Sequence, residues 1–352
     1  MKQALHVRLM LVWLTLGLVV AACGSDSDDE AADDVTATTT SEGAETEETS
    51  EGDEAQDFGG PLRVILSSQF NLPLIGADAA DELGIFDDMG LEVELIESQD
   101  VVPGLASGDA DIAIASPNRF VGGIKAGLEA TIVGPTADVW DQFWIVRPDT
   151  EAESLADFPG GKVGISSFGS AGHYSAAALG EEIGLTEGED YEFVTLSDLD
   201  GLMAGLANGT IDAFAWSAQA AFTLEREGTA KILGHVSEVL GPNPLDVIAV
   251  ANSTIEERPE AVKAFCEAYY EGQKRFKEDE ELATKTFVDV WEFDPEIAPL
   301  MVEAGAPFLS TTDEITDEML DNMAEATVIT IEDVGEVTGD DVAAMYTPCS
   351  EL

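Results

Sequence analysis

The chemistry available to this chain is concentrated in a few hydroxyl-rich turns. The clearest reads Ser166-Ser167-Phe168-Gly169-Ser170-Ala171-Gly172-His173 and leads into a helical stretch at 171–183. The first backbone N–H groups of a helix have no partner within the helix, and the helix dipole adds partial positive charge there. Small residues let an anion or a carbonyl oxygen approach those groups closely. Ser167, Gly169, Ser170 and Ala171 are therefore candidate ligand contacts. Ser170 also reads as a simple N-cap. His173 would hydrogen-bond a ligand or cap the helix.

A second turn reads Ser67-Ser68-Gln69-Phe70-Asn71. Ser67 and Ser68 offer hydroxyls, and Gln69 both donates and accepts. Phe70 would either cover a ligand or pack on the protein surface. A third group, Ser116-Pro117-Asn118-Arg119, follows a short apolar run, and Ser116 and Asn118 are good neutral donors. Arg119 could clamp a carboxylate or sulfonate through two nitrogens. In a chain with 71 Asp and Glu against 15 Lys and Arg, a surface ion pair is the first reading of that residue. Trp216 would stack on a planar ligand, line an apolar slot or sit in a core. Trp140 and Trp144, near a chain crossing, are further candidates that hinge packing explains as well.

Patterns of catalysis do not occur. The chain has no G-x-S-x-G, no H-E-x-x-H and no C-x-x-C. It has three histidines, and no nucleophile stands near His173 in sequence. Acids are too abundant for any pair to signal acid–base work. The reading is a non-enzyme with no cofactor and no metal.

The elements that must hold these turns are visible as a duplication. Leu105-Ala106-Ser107-Gly108-Asp109-Ala110-Asp111 runs into an apolar segment ending at Ser116. Leu206-Ala207-Asn208-Gly209-Thr210-Ile211-Asp212 runs into another ending at Ser217. Val64-Ile65-Leu66-Ser67-Ser68 likewise matches Val163-Gly164-Ile165-Ser166-Ser167. Each copy predicts a short strand (62–66; 162–165), a helix (72–83; 171–183), an alternating strand (91–96; 191–196), a helix closed by glycine (101–107; 199–208), and a buried strand. Two βαβαβ units mean two α/β lobes with largely parallel sheets. Ligands in such sheets bind beyond the carboxyl ends of the strands, so two facing lobes make a cleft.

The predicted organisation is lobe one over 58–148, lobe two over 149–244, and a return to lobe one over 245–352. A strand is expected at 245–250 and helices at 259–277, 280–290, 295–303 and 317–326. Crossings are expected near 146–150 and 241–245, forming a hinge.

Residues 1–22 read as an export signal: Lys2 and Arg8 precede an apolar run too short to span a membrane. The sequence Val20-Ala21-Ala22-Cys23-Gly24 resembles a bacterial lipobox, which implies that Cys23 carries lipid and anchors the protein. Two acyl chains anchor stably. Residues 24–57 are acidic and nearly devoid of large apolar side chains, the composition of a disordered tether. A net charge of −56 argues against nucleic acid as a partner, because its phosphates would be repelled. Cys266 and Cys349 would either pair, as an oxidising compartment permits, or remain two buried thiols.

The order of elements resembles a type 2 periplasmic-binding-protein fold. Gly108-x-x-Asp111-Ile112-Ala113, Phe158-Pro159-Gly160-Gly161-Lys162-Val163-Gly164 and Gly209-x-x-Asp212-Ala213-Phe214 are similar to segments of the SsuA/THI5-like (NMT1-like) family. That family includes binding proteins for alkanesulfonates, taurine, nitrate and thiamine-pyrimidine precursors. The resemblance implies a monomeric extracytoplasmic subunit of an ABC importer, with a small-molecule ligand and a membrane permease as partners.

Overall fold

The computed structural model describes residues 58–352. Ten strands form in chain order: β1 (Leu62–Leu66), β2 (Val93–Glu97), β3 (Ile112–Ala115), β4 (Ala130–Pro135), β5 (Phe143–Val146), β6 (Gly161–Ile165), β7 (Tyr191–Thr195), β8 (Ala213–Trp216), β9 (Lys231–His235) and β10 (Val247–Ala251). They make two sheets, ordered β2-β1-β3-β10-β4 and β7-β6-β8-β5-β9. The central strands β3 and β10 are buried at every residue. This matches near-continuous apolar runs covered on both faces.

The duplication is exact at the level of topology. In the first sheet β1 pairs in parallel with β2 and β3. In the second, β6 pairs in parallel with β7 and β8. Each sheet also admits one antiparallel strand, β10 between β3 and β4, and β5 between β8 and β9. Each of these arrives directly after the chain crosses from the other lobe. The helices Val101–Ser107 and Leu199–Asn208 both end at a glycine in the left-handed region, Gly108 at φ 75° and Gly209 at φ 76°. That conformation favours glycine and explains why it recurs there.

The first crossing lies earlier than the expected 146–150. The run Phe143-Trp144-Ile145-Val146 already pairs with β8 and β9, so the chain passes between lobes over residues 136–142. An apolar run of four residues has too little length to announce itself as a strand. The second crossing falls between β9 and β10, beside the first. Thr136 donates to the Asp246 carbonyl through both its backbone nitrogen (2.9 Å) and its hydroxyl (3.0 Å).

The C-terminal helices also depart from a simple return to lobe one. Helix Pro259–Glu278 does pack there, with Phe265 and Tyr269 in one core with Leu62, Val64 and Leu66. Helix Asp317–Thr330 instead serves both lobes: Met319 and Met323 join the core of the first, and Ala326 joins that of the second. Helix Ala298–Gly305 likewise lies in a core shared by Leu72 and Ala218. Helices with apolar residues on more than one face can bridge two bodies. Cys266 and Cys349 form a disulfide that ties the long helix to the C-terminal residues. Among the described residues no helix is long and apolar enough to cross a membrane. The expected signal, Cys23 and the tether lie outside the described residues.

Candidate functional site

The strand ends of both sheets meet at a closed cleft. It holds a partly open cavity of about 60 Å³ lined by residues from both lobes and both crossings. From lobe one come Ser67, Ser68, Asn71 and Ser116; from lobe two, Ser166, Ser170, Ala171 and Trp216. The placement follows from the fold, because each hydroxyl-rich turn directly follows the carboxyl end of a strand: β1, β3 or β6.

Six of the twelve expected residues line this cavity: Ser67, Ser68, Ser116, Ser170, Ala171 and Trp216. Ser170 is also an N-cap, accepting from the His173 backbone N–H at 3.3 Å. The two roles are compatible, since the cap satisfies one N–H and leaves others of the first turn open.

The other six serve different ends. Gly169 sits at φ 77°, and its carbonyl accepts from Asn118 Nδ2 at 2.8 Å and from the Ser116 hydroxyl at 3.4 Å. Asn118 is fully buried and also donates to Thr330 Oγ1 at 2.6 Å. Among the described residues its Oδ1 has no partner. Asn118 thus clasps the lobes and does not face the cavity. Ser167 accepts from Arg119 at 3.2 Å, a second bond across the cleft. His173 turns its Nδ1 to the Gly169 N–H at 3.0 Å, and its ring meets Phe193 edge-on at 4.7 Å. Burial holds its pKa down to about 4, so it is neutral and braces the turn.

Gln69 does not line the cavity. Phe70 points away: its backbone is left-handed at φ 52°, and its ring lies tilted against Trp291 at 5.1 Å. Its N–H donates to Asp78 Oδ2 at 3.0 Å. Asp78 is buried, and burial raises its pKa to about 7 against the opposing effect of that N–H.

Gln99, Gln142 and Asp246 line the cavity without having stood out in sequence, and Arg119, read there as either a clamp or a surface ion pair, lines it as well. Among the described residues Arg119 makes no ion pair in contact. Its guanidinium donates to the Gln99 side chain at 3.1 Å and to Ser167, and burial lowers its pKa while Asp246 raises it. Asp246 is 5 % exposed, and burial raises its pKa to about 7 while Arg119 lowers it. The signal that could have found Asp246 is an acid at the head of the apolar run Leu245 to Val250. Gln142 lies in the first crossing and accepts from the Ser175 hydroxyl at 2.7 Å.

A family profile described as NMT1/THI5 like matches residues 72–283, more than half of the chain. The chain belongs to the NMT1/THI5-like family. No curated protein sequence matches it. Among solved structures, this NMT1/THI5-like chain is similar to the alkanesulfonate-binding protein SsuA from Xanthomonas axonopodis pv. citri bound to MOPS. The identity is 16 %, the TM-score 0.66, and the match covers 82 % of this chain and 98 % of that one. It is similar to the ligand-binding component of an ABC-type import system from Staphylococcus aureus, with zinc bound, at 13 % identity and TM-score 0.67, covering 82 % and 96 %. It is similar to the periplasmic nitrate-binding protein NrtA from Synechocystis PCC 6803 at 12 % identity and TM-score 0.64, covering 81 % and 84 %. At these identities the likeness is one of fold: the two-lobed type 2 periplasmic-binding architecture of the NMT1/THI5-like family. Among the described residues no cluster of His, Cys, Asp or Glu has the arrangement of a metal site.

Proposed function

We propose that this protein is the extracytoplasmic solute-binding subunit of an ABC importer and captures a small organic ligand by lobe closure. The observation that carries this reading is the cavity itself: a hydroxyl-lined space whose walls come from two lobes joined by two crossings. A ligand that touches both walls favours the closed form over the open one. The membrane permease would then read the closed form. The ligand classes this reading admits are sulfonate, nitrate or taurine-like anions and thiamine-pyrimidine-like heterocycles. Arg119 and the N-terminus of helix Ala171–Glu182 support an anionic group, and Trp216 supports a planar one.

The reading is of binding, not catalysis. His173 directs its Nδ1 at Gly169, and the ionisable cavity residues are one arginine and one aspartate. The proposal extends to a lipid on Cys23, a tether over 24–57, and a monomer on the outer face of the cell membrane. A thermal-shift screen of the 58–352 domain with sulfonates, nitrate, carboxylates and pyrimidines tests it. At least one class raises the melting temperature and compacts the protein in small-angle scattering. A response by none of them would sink the reading.

A further inference from the structure

The cavity contains two opposite charges that do not meet. Arg119 and Asp246 both line it, and they form no ion pair with each other. Arg119 bonds only neutral oxygens, those of Gln99 and Ser167. Asp246 uses its backbone carbonyl to accept from Thr136. Among the described residues its carboxylate has no hydrogen-bond donor. A carboxylate so deeply buried and left without a partner is costly. Such a group, aimed into a ligand cavity, is a place for a donor that the ligand brings.

We propose that the ligand is a small zwitterion, with its anionic group on Arg119 and the turn at Ser170 and Ala171, and its ammonium on Asp246. This inference rests on the solute-binding reading above and narrows it. The cavity's own formal charges cancel, so a zwitterion adds none to the closed site. A simple monoanion would satisfy Arg119 but bring a second negative charge beside a buried acid, which is unfavourable in a low-dielectric site. The remaining walls are consistent with two polar ends: hydroxyls of Ser67, Ser68 and Ser116 near the lobe-one side, and Gln142 at the crossing. Ser67, Ser68, Asn71, Gln99, Ser166 and Trp216 also line an adjoining space, and the cavity itself holds about 60 Å³. That is on the order of five water-sized spheres.

Matched pairs of probes decide it. Calorimetry on the 58–352 domain would compare taurine with ethanesulfonate, 3-aminopropanesulfonate with propanesulfonate, β-alanine with propionate, and 4-aminobutyrate with butyrate. At least one amino compound binds about tenfold or more tighter than its deaminated partner, a gap of ~1.4 kcal/mol or more. Asp246→Asn removes that preference, bringing the pair to within roughly twofold. The apo Asp246→Asn protein melts no lower than the wild type, which separates lost recognition from lost folding. If the deaminated anions bind as tightly as the amines, or if Asp246→Asn keeps the preference, the zwitterion assignment is overturned and solute binding stands. If no probe of either series binds, and the broader screen of sulfonates, nitrate, carboxylates and pyrimidines is also silent, both fall.

Discussion

The two hydroxyl-rich turns occupy equivalent places, after β1 and after β6, yet they do different work. The lobe-two turn opens a regular helix of 12 residues, Ala171–Glu182, with Ser170 capping it. The lobe-one turn leads into a 3-10 helix of 3 residues, Leu72–Leu74, with no side-chain cap. A macrodipole needs aligned peptides, so only the second turn presents a full helix N-terminus to the cavity. The second turn also bonds across the cleft, through the Gly169 carbonyl and the Ser167 hydroxyl. The first turn is held from within its own lobe by buried Asp78. Duplication supplied the same position twice, and the following segment decided which copy became the clasp and the candidate anion seat.

The contrast is broken most severely at Gly169. Its φ is +77°, and a Cβ there would stand 3.1 Å from Ile331 Cδ1. A β-branched side chain in this conformation costs about 1–3 kcal/mol of strain. It would also shift the carbonyl that Asn118 and Ser116 share. Gly169→Val should abolish ligand binding and lower the apo melting temperature, because the structure gives this residue a part in closing the lobes. Calorimetry and a melting curve check both. Binding at wild-type strength in Gly169→Val would remove the lobe-two turn from the site.

Asn118→Ala separates clasping from contact. It deletes the bonds to Gly169 and Thr330 without touching the cavity wall. Two hydrogen bonds at about 0.5–1.5 kcal/mol each predict roughly tenfold weaker binding through a less populated closed state. Scattering should show the ligand-free variant more open than the wild type. An unchanged radius with unchanged affinity would show that the clasp is passive.

Asp78 gives the comparison a pH axis. Its folded pKa is raised to about 7 from 3.8, mainly by burial, and that of Asp246 is raised likewise. A raised carboxyl pKa means that the folded state holds protons the unfolded state has released. The contribution to stability is therefore greatest below about pH 3.8 and declines as pH rises toward 7. Arg119 opposes the shift at Asp246, and Tyr269 is raised by burial first and then by both acids. Asp78→Asn should raise the melting temperature at pH 8 more than at pH 5, with Oδ1 still accepting from Phe70. A wild-type minus variant difference that does not change with pH would mean that Asp78 does not titrate in this window.

The smallest effects distinguish the turns by their caps. Ser170→Ala should cost about 0.5–2 kcal/mol of stability, since an N-cap is lost. Its effect on binding should be tenfold or less. Phe70→Ala, at the matching turn, should leave affinity within roughly twofold, because its ring lies on Trp291 and not in the cavity. Equal losses from the two variants would erase the asymmetry.

What the sequence determined by itself is the local and the repeated. Alternation, apolar runs and the glycines at 108 and 209 set strands, helices and caps, and the helices Val101–Ser107 and Leu199–Asn208 fall where the pattern placed them. The repeat gave two α/β lobes and put Ser67, Ser116, Ser170 and Trp216 at strand ends, where they do line the cavity. These features depend on neighbours within a few residues or on one register. What only the tertiary structure decided is which distant side chains meet: Asn118 with Gly169 and Thr330, Arg119 with Ser167, and Arg119 and Asp246 around one space. It also decided that Phe143–Val146 lies in the second sheet and that helix Asp317–Thr330 joins both cores. The physical reason is separation along the chain: Asn118 and Thr330 lie 212 residues apart, and no local preference encodes that contact. Arg119 looks like any surface cation until the closing lobes remove it from water, and Asp246 like a chance acid until burial leaves its carboxylate without a donor.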